Sequence, residues 1–319
     1  MRGQRRTDFY SGLPLHGTRE EVIMKGKIVV RQNNVAYLYL LPWLIGIAGL
    51  QLYPFFVSFY YALCDYHPLR KPFFVGVNNF VRLFTIDPDF FISLKATLLY
   101  VIYTVPFKLI MALFIALLLS KARKGIGILR TAYYLPSLFG GSVAISVLWL
   151  IMFMDQGMVN GFLNSIGIST ISFLGNPKTA LPTLSLLEVW QFGASMVMFL
   201  AALKQVPVTL YEAARIDGAG SVNSFFKITM PYISPILFFC IIMQTLNAIQ
   251  NFTSAFVITR GGPVKSTYML GLKLYNDGFF FWRMGYASAT SWIIFFMIAA
   301  FTLALFASQK HWVFYSDES

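Results

Sequence analysis

Charge is scarce in this chain, and so are the side chains that usually carry chemistry. Only 12% of its 319 residues are Asp, Glu, Lys or Arg, against roughly 25% in soluble globular proteins, which excludes an ordinary water-soluble fold. Its two cysteines, Cys64 and Cys240, are far apart in sequence. That excludes a disulfide framework or cysteine-based metal spacing and leaves both as packing residues. The three histidines, His16, His67 and His311, show no ligand or triad spacing, so no metal site is expected. Acids are too sparse to form a catalytic cluster, which argues against a membrane-embedded enzyme. No G-x-x-x-x-G-K-S/T sequence occurs, so the loop that would cradle ATP phosphates is missing. The chain is expected to bind no cofactor and not to be an enzyme; any ATP energy must come from another polypeptide.

What fills the chain instead is apolar: 57% of residues are hydrophobic and the mean hydropathy is +0.65. Runs long enough to cross a bilayer, about 20 residues each, occur near 35–63, 92–119, 132–154, 181–203, 232–258 and 286–308. They lack strand-type alternation, which leaves helices as the spanning structure. The expected fold class is therefore an all-α polytopic membrane protein with six transmembrane helices. A polar segment of about thirty residues precedes the first run without a small-residue cleavage site, which predicts a retained anchor rather than a removable signal. Basic residues set the orientation. Arg2, Arg5, Arg6, Arg19, Lys25, Lys27 and Arg31 precede the first span, and Lys121, Arg123, Lys124 and Arg130 follow the second. With Lys204, Arg215, Lys227 and Lys310 they place 15 cations on one side against 8 on the other. Both termini are then expected in the cytoplasm. The net charge of +12 is explained by basic flanks beside anionic lipid and calls for no nucleic acid.

Between the fourth and fifth runs lies a charged, glycine-punctuated insert, Thr209 to Pro235. Thr209-Leu-Tyr-Glu212 has the form of a capping box, and Gly218 and Gly220 offer the left-handed conformation that ends a helix. These signals predict a short exposed helix over Leu210 to Asp217, shaped for docking. Polar residues inside the runs mark a second region, because such groups are costly in lipid unless they face a cavity or one another. Gln244, Asn247, Asn251 and Ser254 recur at i, i+3, i+7 and i+10, with Gln250 beside them, along one face of the fifth span. Glu188, Gln191 and Ser195 repeat the pattern in the fourth span, and Ser288 and Ser291 do so in the sixth. Amides and a carboxylate suit a hydroxyl-rich solute, and Trp190 offers a flat apolar face to a sugar ring. The same groups could equally bond one helix to the next. Lys108 and Glu188 fall at similar depths, about 18 and 22 Å from the inner ends of their spans. A charge alone at a helix centre costs about 2.5 to 3.5 kcal/mol, so the pair is expected to be mutual, with Lys108 structural and a solute role for Glu188 second.

The insert resembles the EAA loop of importer permeases of the ATP-binding-cassette (ABC) class: Glu212-Ala213-Ala214, Asp217-Gly218-Ala219, Phe225, Ile228, Met230-Pro231 and Pro235. Met230 stands where that pattern usually has Leu. Leu40-Leu-Pro-Trp43, Tyr53-Pro54, Phe74 to Phe80, Arg130-Thr131, Leu135-Pro136, Trp190-Gln191, Thr259 to Pro263 and Gly285 to Ala289 are similar to successive parts of maltose-type, oligosaccharide-class sugar permeases. The resemblance implies a type I importer permease of MetI-like architecture in a bacterial inner membrane. It implies a cytoplasmic segment over 1–34, a permease domain over 35–308 with its coupling loop at 204–231, and a cytoplasmic tail over 309–319. Glu212, Ala213, Ala214, Asp217, Gly218 and Ala219 would dock an ATPase. The implied partners are a second homologous permease, two ATPase subunits carrying ATP and Mg, an extracytoplasmic sugar-binding protein and an oligosaccharide. The alternatives are a permease for glycerol-3-phosphate or a related sugar-linked solute, and an ATP-independent secondary transporter.

Overall fold

The computed structural model describes residues 37–120 and 125–314. The expected amino-terminal segment 1–34, Lys121, Arg123 and Lys124, and the end of the tail at 315–319 lie outside the described residues. The chain divides into two compact units, with the boundary between Ser58 and Phe59. The first supplies most of helix α1 (Tyr37–Ala62), an apolar rod with one wide turn at Ala48–Leu52 just before Pro54.

The second unit is helical apart from one short ladder. Strands β1 (Cys64–Asp65) and β2 (Phe73–Phe74) pair antiparallel, with Cys64 opposite Phe74. Helix α2 (Asn78–Thr85) follows, and its buried Asn79 donates to the carbonyls of Ala62 and Cys64, each at 2.9 Å. Ala62 is the last residue of α1, whose final carbonyls have no helical amide to accept from, and Cys64 lies just beyond it in β1. Then come α3 (Pro88–Ser120), α4 (Ile126–Leu138), α5 (Val143–Phe153), α6 (Met158–Ser165), α7 (Pro177–Trp190), α8 (Gly193–Gln205) and α9 (Val208–Ile216). The chain closes with α10 (Ser221–Ile249), α11 (Leu270–Tyr275) and α12 (Met284–Gln309).

Five helical stretches are long and apolar enough to cross a membrane: Tyr37–Ala62, Pro88–Ser120, Val143–Ser165, Ser221–Ile249 and Met284–Gln309. The sixth crossing is the pair α7 and α8, bent by 47° at its junction. Two expected spans therefore shift. The run at 132–154 is interrupted between Leu138 and Val143, where Gly140-Gly141 breaks the helix, so the crossing lies at Val143–Ser165 instead. The fifth helix stops at Ile249 rather than continuing to 258. Helix α3 is the centre of the unit and packs on α7, α8 and α10. Its Ala96, Ala112 and Ala116 are buried in the main core with Leu184, Met196 and Phe199; small side chains of this kind let helix axes approach closely in a membrane.

A second, smaller core joins Ala62, Leu83, Phe90, Leu270, Ala289 and Trp292. Beside it Lys273 is nearly fully buried, and its Nζ donates to Asp87 Oδ2 at 2.6 Å and to Asp277 Oδ2 at 2.9 Å. Tyr286 OH donates to the same Asp87 oxygen at 2.7 Å. One ammonium thus pins α11 between the starts of α3 and α12. Burial opposes the Lys273 charge, but the hydrogen bonds to Asp87 and Asp277 outweigh it and hold its pKa above the ordinary lysine value. Burial also pushes Asp87 up, yet the bonds from Lys273 and Tyr286 leave its carboxyl below the usual range. At Asp277 burial prevails over Lys273, and the carboxyl sits above that range.

Lys273→Met should strip both carboxylates of their cation and cost about 3–5 kcal/mol, seen as a lower Tm of the solubilised protein. An Asp277 pKa raised above its unfolded value contributes stability at low pH that is lost as pH rises through the folded value. Without Lys273 that pKa rises further, so the Tm deficit should be smaller near pH ~4 than near pH ~8. Equal deficits at both would contradict this account of the cluster.

Candidate functional site

Three interruptions of the membrane helices meet at one cavity of about 420 Å³. They are the Gly140-Gly141-Ser142 break between α4 and α5, the Gln191 junction between α7 and α8, and the turn from Gln250 to Ser254 after α10. Backbone leaves regular helix in a bilayer only where protein or water can satisfy its polar groups, and a side chain at the end of α4 does this for the junction of α7 and α8. Ser137 Oγ donates to the Gln191 carbonyl at 3.1 Å and accepts the Ala194 amide at 3.1 Å. Gly193 makes this approach possible, because a Cβ there would lie 2.6 Å from the Tyr133 carbonyl oxygen and 2.7 Å from Tyr134 Cα.

Lys108 on α3 and Glu188 on α7 lie in the cavity wall, with Nζ donating to Oε1 at 2.6 Å. The lysine side chain is 7% exposed and the glutamate 22%, so the carboxylate is the member open to a solute. Among the described residues these two are the cavity's only charged lining groups. The rest of the polar wall is amide and hydroxyl. Asn251 Nδ2 donates to Tyr100 OH at 3.1 Å, and Ser254 Oγ to Asn251 Oδ1 at 2.6 Å.

Of the residues expected to face a solute, Glu188, Gln191, Gln244, Asn247, Gln250 and Asn251 all line this cavity. They do not share one straight helical face. Helix α10 ends at Ile249, and Asn251 and Ser254 reach the cavity because the chain turns there. Trp190 lies outside the lining, 40% exposed and 6.1 Å from the ring of Trp149. Ser195 is buried between helices and accepts from Gln244 Nε2 at 3.1 Å. Ser288 is also outside it; its carbonyl accepts from Ser291 Oγ at 2.7 Å on α12. Ser142, Ser146, Ser137 and Thr253 also line the cavity and are not among the residues the sequence points to. The Gly140-Gly141-Ser142 punctuation of an apolar run was the signal that could have found the first two.

The exposed helix forms as α9, Val208–Ile216, with no buried residue. Its start differs from the expected capping box. Pro207 precedes the first turn in an extended conformation, no side chain caps the helix, and Thr209 is already inside it. Pro207 itself holds the cap position, and the first amides of this exposed helix are left to solvent. Gly218, at φ +77°, ends the helix, with Gly218 N–H donating to the Arg215 carbonyl and Ala219 N–H to that of Ala214. Gly220 is extended instead and begins α10. A groove of about 370 Å³ lies between Ala214, Asp217, Gly218 and Ala219 on one side and Asn223 and Lys227 on the other. Glu212 and Ala213 are exposed, and Glu212 has no ion-pair partner among the described residues. Tyr211 OH and Thr229 Oγ1, 2.8 Å apart, tie α9 to the foot of α10. No group of three His, Cys, Asp or Glu side chains among the described residues is placed to hold a metal.

A family model described as binding-protein-dependent transport system inner membrane component matches residues 93–313. The probable ABC transporter permease protein YesP of Bacillus subtilis is 40% identical over 305 residues, 95% of this chain and 99% of that protein. The lactose transport system permease protein LacF of Rhizobium radiobacter is 33% identical over 281 residues, covering 86% and 93%. Among solved structures, a chain of a bacterial ABC transporter involved in the import of the acidic polysaccharide alginate matches with a TM-score of 0.77 at 21% identity. It covers 90% of this chain and 98% of that one, and shows the same fold.

Removing one member of the Lys108–Glu188 pair leaves the other charge stranded, at a cost of about 3–5 kcal/mol for a buried pair. Lys108→Met and Glu188→Gln should each lower the Tm in detergent, and the double variant should recover much of the loss. A double variant no more stable than the worse single one would refute mutual pairing.

Proposed function

The chain belongs to the family of binding-protein-dependent transport system inner membrane components, and we propose that it is the sugar-importing permease subunit of an ABC transporter, with an oligosaccharide as solute. One observation carries this reading: a single helix links the exposed docking element to the polar cavity. The foot of α10 is bonded to α9 through Thr229 and Tyr211, and its far end presents Gln244 and Asn247 to the cavity. From Thr229 to Gln244 is about 22 Å of helix at 1.5 Å per residue. A push on α9 therefore reaches the solute path through one rod.

The lining chemistry supports a sugar. The side-chain amides of Gln191, Gln244, Asn247, Gln250 and Asn251 can each donate and accept at once, as a polyhydroxyl solute requires. Glu188 offers a charged acceptor, a stronger hydrogen-bond partner than a neutral one. A phosphorylated solute is less well served, because the one cation in the lining, Lys108, is already committed to Glu188.

In the proposed cycle a second, homologous permease completes the path, and each permease seats its α9 on one of two ATPase subunits. Glu212, Ala213, Ala214, Asp217, Gly218 and Ala219 form the seat. ATP and Mg bind the ATPase subunits, whose closure drives the α9 helices together and opens the cavity to the outside. There an extracytoplasmic binding protein delivers the sugar, and hydrolysis resets the path inward. This scheme puts both termini and α9 in the cytoplasm, in line with the excess of basic residues on that side.

The test is uptake and ATP hydrolysis by the complete transporter in proteoliposomes, screened across binding-protein and oligosaccharide pairs. One sugar class should stimulate hydrolysis, and Glu212→Ala should bring that stimulation to background while the chain remains folded. Uptake by the permease alone, without ATPase subunits, would point to a secondary transporter and overturn the reading.

A further inference from the structure

The last described residues turn back from α12 onto the foot of α10. After Gln309 the chain makes a tight turn, with Val313 N–H donating to the Gln309 carbonyl at 2.8 Å. Trp312 Nε1 donates to Ser308 Oγ at 3.2 Å, and its ring meets that of Phe238 edge-on at 5.9 Å. The Phe314 ring lies 6.1 Å from that of Tyr232, and the Phe314 N–H donates to Ser234 Oγ at 2.8 Å.

Ser234 occupies a weak point of α10. Pro235 has no amide hydrogen and cannot give the helical bond to the Pro231 carbonyl. Ser234 Oγ donates to that carbonyl instead, at 2.6 Å, and is buried. A single hydroxyl thus bridges the proline gap and receives the returning chain. Just before it, Phe225–Thr229 forms a wide turn, closed by Met230 N–H donating to the Phe225 carbonyl. Wide turns and prolines are the usual sites of helix bending, and Thr229, which holds α9, is the last residue of the wide turn, two before Pro231.

We propose that Trp312–Phe314 is a clasp that keeps the foot of α10 from bending, so that a displacement of α9 moves α10 and α12 together instead of dissipating at the Pro231–Pro235 turn. Phe314, Trp312 and Ser234 are positioning residues in this account, which rests on the reading of α9 as the ATPase-docking helix. None of them lies in the cavity wall or in α9.

The experiment measures solute imported per ATP hydrolysed by the complete transporter in proteoliposomes. Trp312→Ala/Phe314→Ala should assemble and keep its unstimulated ATP hydrolysis, while solute moved per ATP falls several-fold. Phe314→Tyr, which keeps the ring and the backbone bond, should behave as wild type. Pro235→Ala restores the missing helical bond, so adding it to Phe314→Ala should recover the ratio, a rescue that a general loss of stability would not produce. A wild-type ratio in the assembled double alanine variant, or no recovery with Pro235→Ala, would overturn the clasp. Glu212→Ala run in parallel separates the two ideas. Loss of uptake there with unchanged ratios in the clasp variants removes the clasp alone, and uptake unaffected by Glu212→Ala removes the docking reading and the clasp with it.

Discussion

Inside a bilayer no water is present to take up a backbone group that leaves its helix, and the architecture of this chain follows from that constraint. Part of the cavity wall is polar side chains on intact helices, Lys108, Glu188, Gln244 and Asn247. Beside them three chain interruptions come together, and Ser137 at the end of α4 bridges the Gln191 carbonyl and the Ala194 amide at one of them. The same constraint explains the Lys108–Glu188 contact at 2.6 Å. Two charges that would each be costly in hydrocarbon become tolerable as a pair at the edge of a wet cavity.

Rigidity is distributed unevenly to suit. The crossed contacts of α3 with α7, α8 and α10 bury Tyr100, Leu184, Met196 and Phe199, while α9 buries nothing and hangs on one hydroxyl pair. In the proposed cycle an element that meets a partner keeps its surface free, and one that transmits force is packed along its length. Helix α10 serves both ends, since its foot holds α9 and its far end frames the cavity. Its prolines and wide turn lie at the foot, the one stretch where bending would disconnect the two.

Much of this was legible in the residues themselves. Composition and run length identify six apolar crossings, and the two in-span charges could be matched by depth before any contact was known. The places where the reading slipped share a cause. The capping box at Thr209–Glu212 is a correct local pattern, but the helix starts two residues earlier, at Val208 with Pro207 as its cap. The third crossing moved because a hydropathy average does not register two glycines inside an apolar run. Helical spacing placed Ser195 with Glu188 and Gln191, yet Ser195 faces Gln244 across a helix interface and not the cavity.

The sequence by itself determined that this is a helical membrane protein, which family it belongs to, and which short segment folds as an exposed helix. Those properties rest on composition, run length and local motifs, each of which a few neighbouring residues suffice to specify. Only the tertiary structure decided which interruptions meet, which polar side chains line the cavity, and that Trp190 and Ser288 lie outside it. Periodicity reports a face relative to a helix's own axis. What that face meets depends on how distant segments pack, as Gly193 shows by admitting the backbone of Tyr133 and Tyr134 at a distance no side chain would permit.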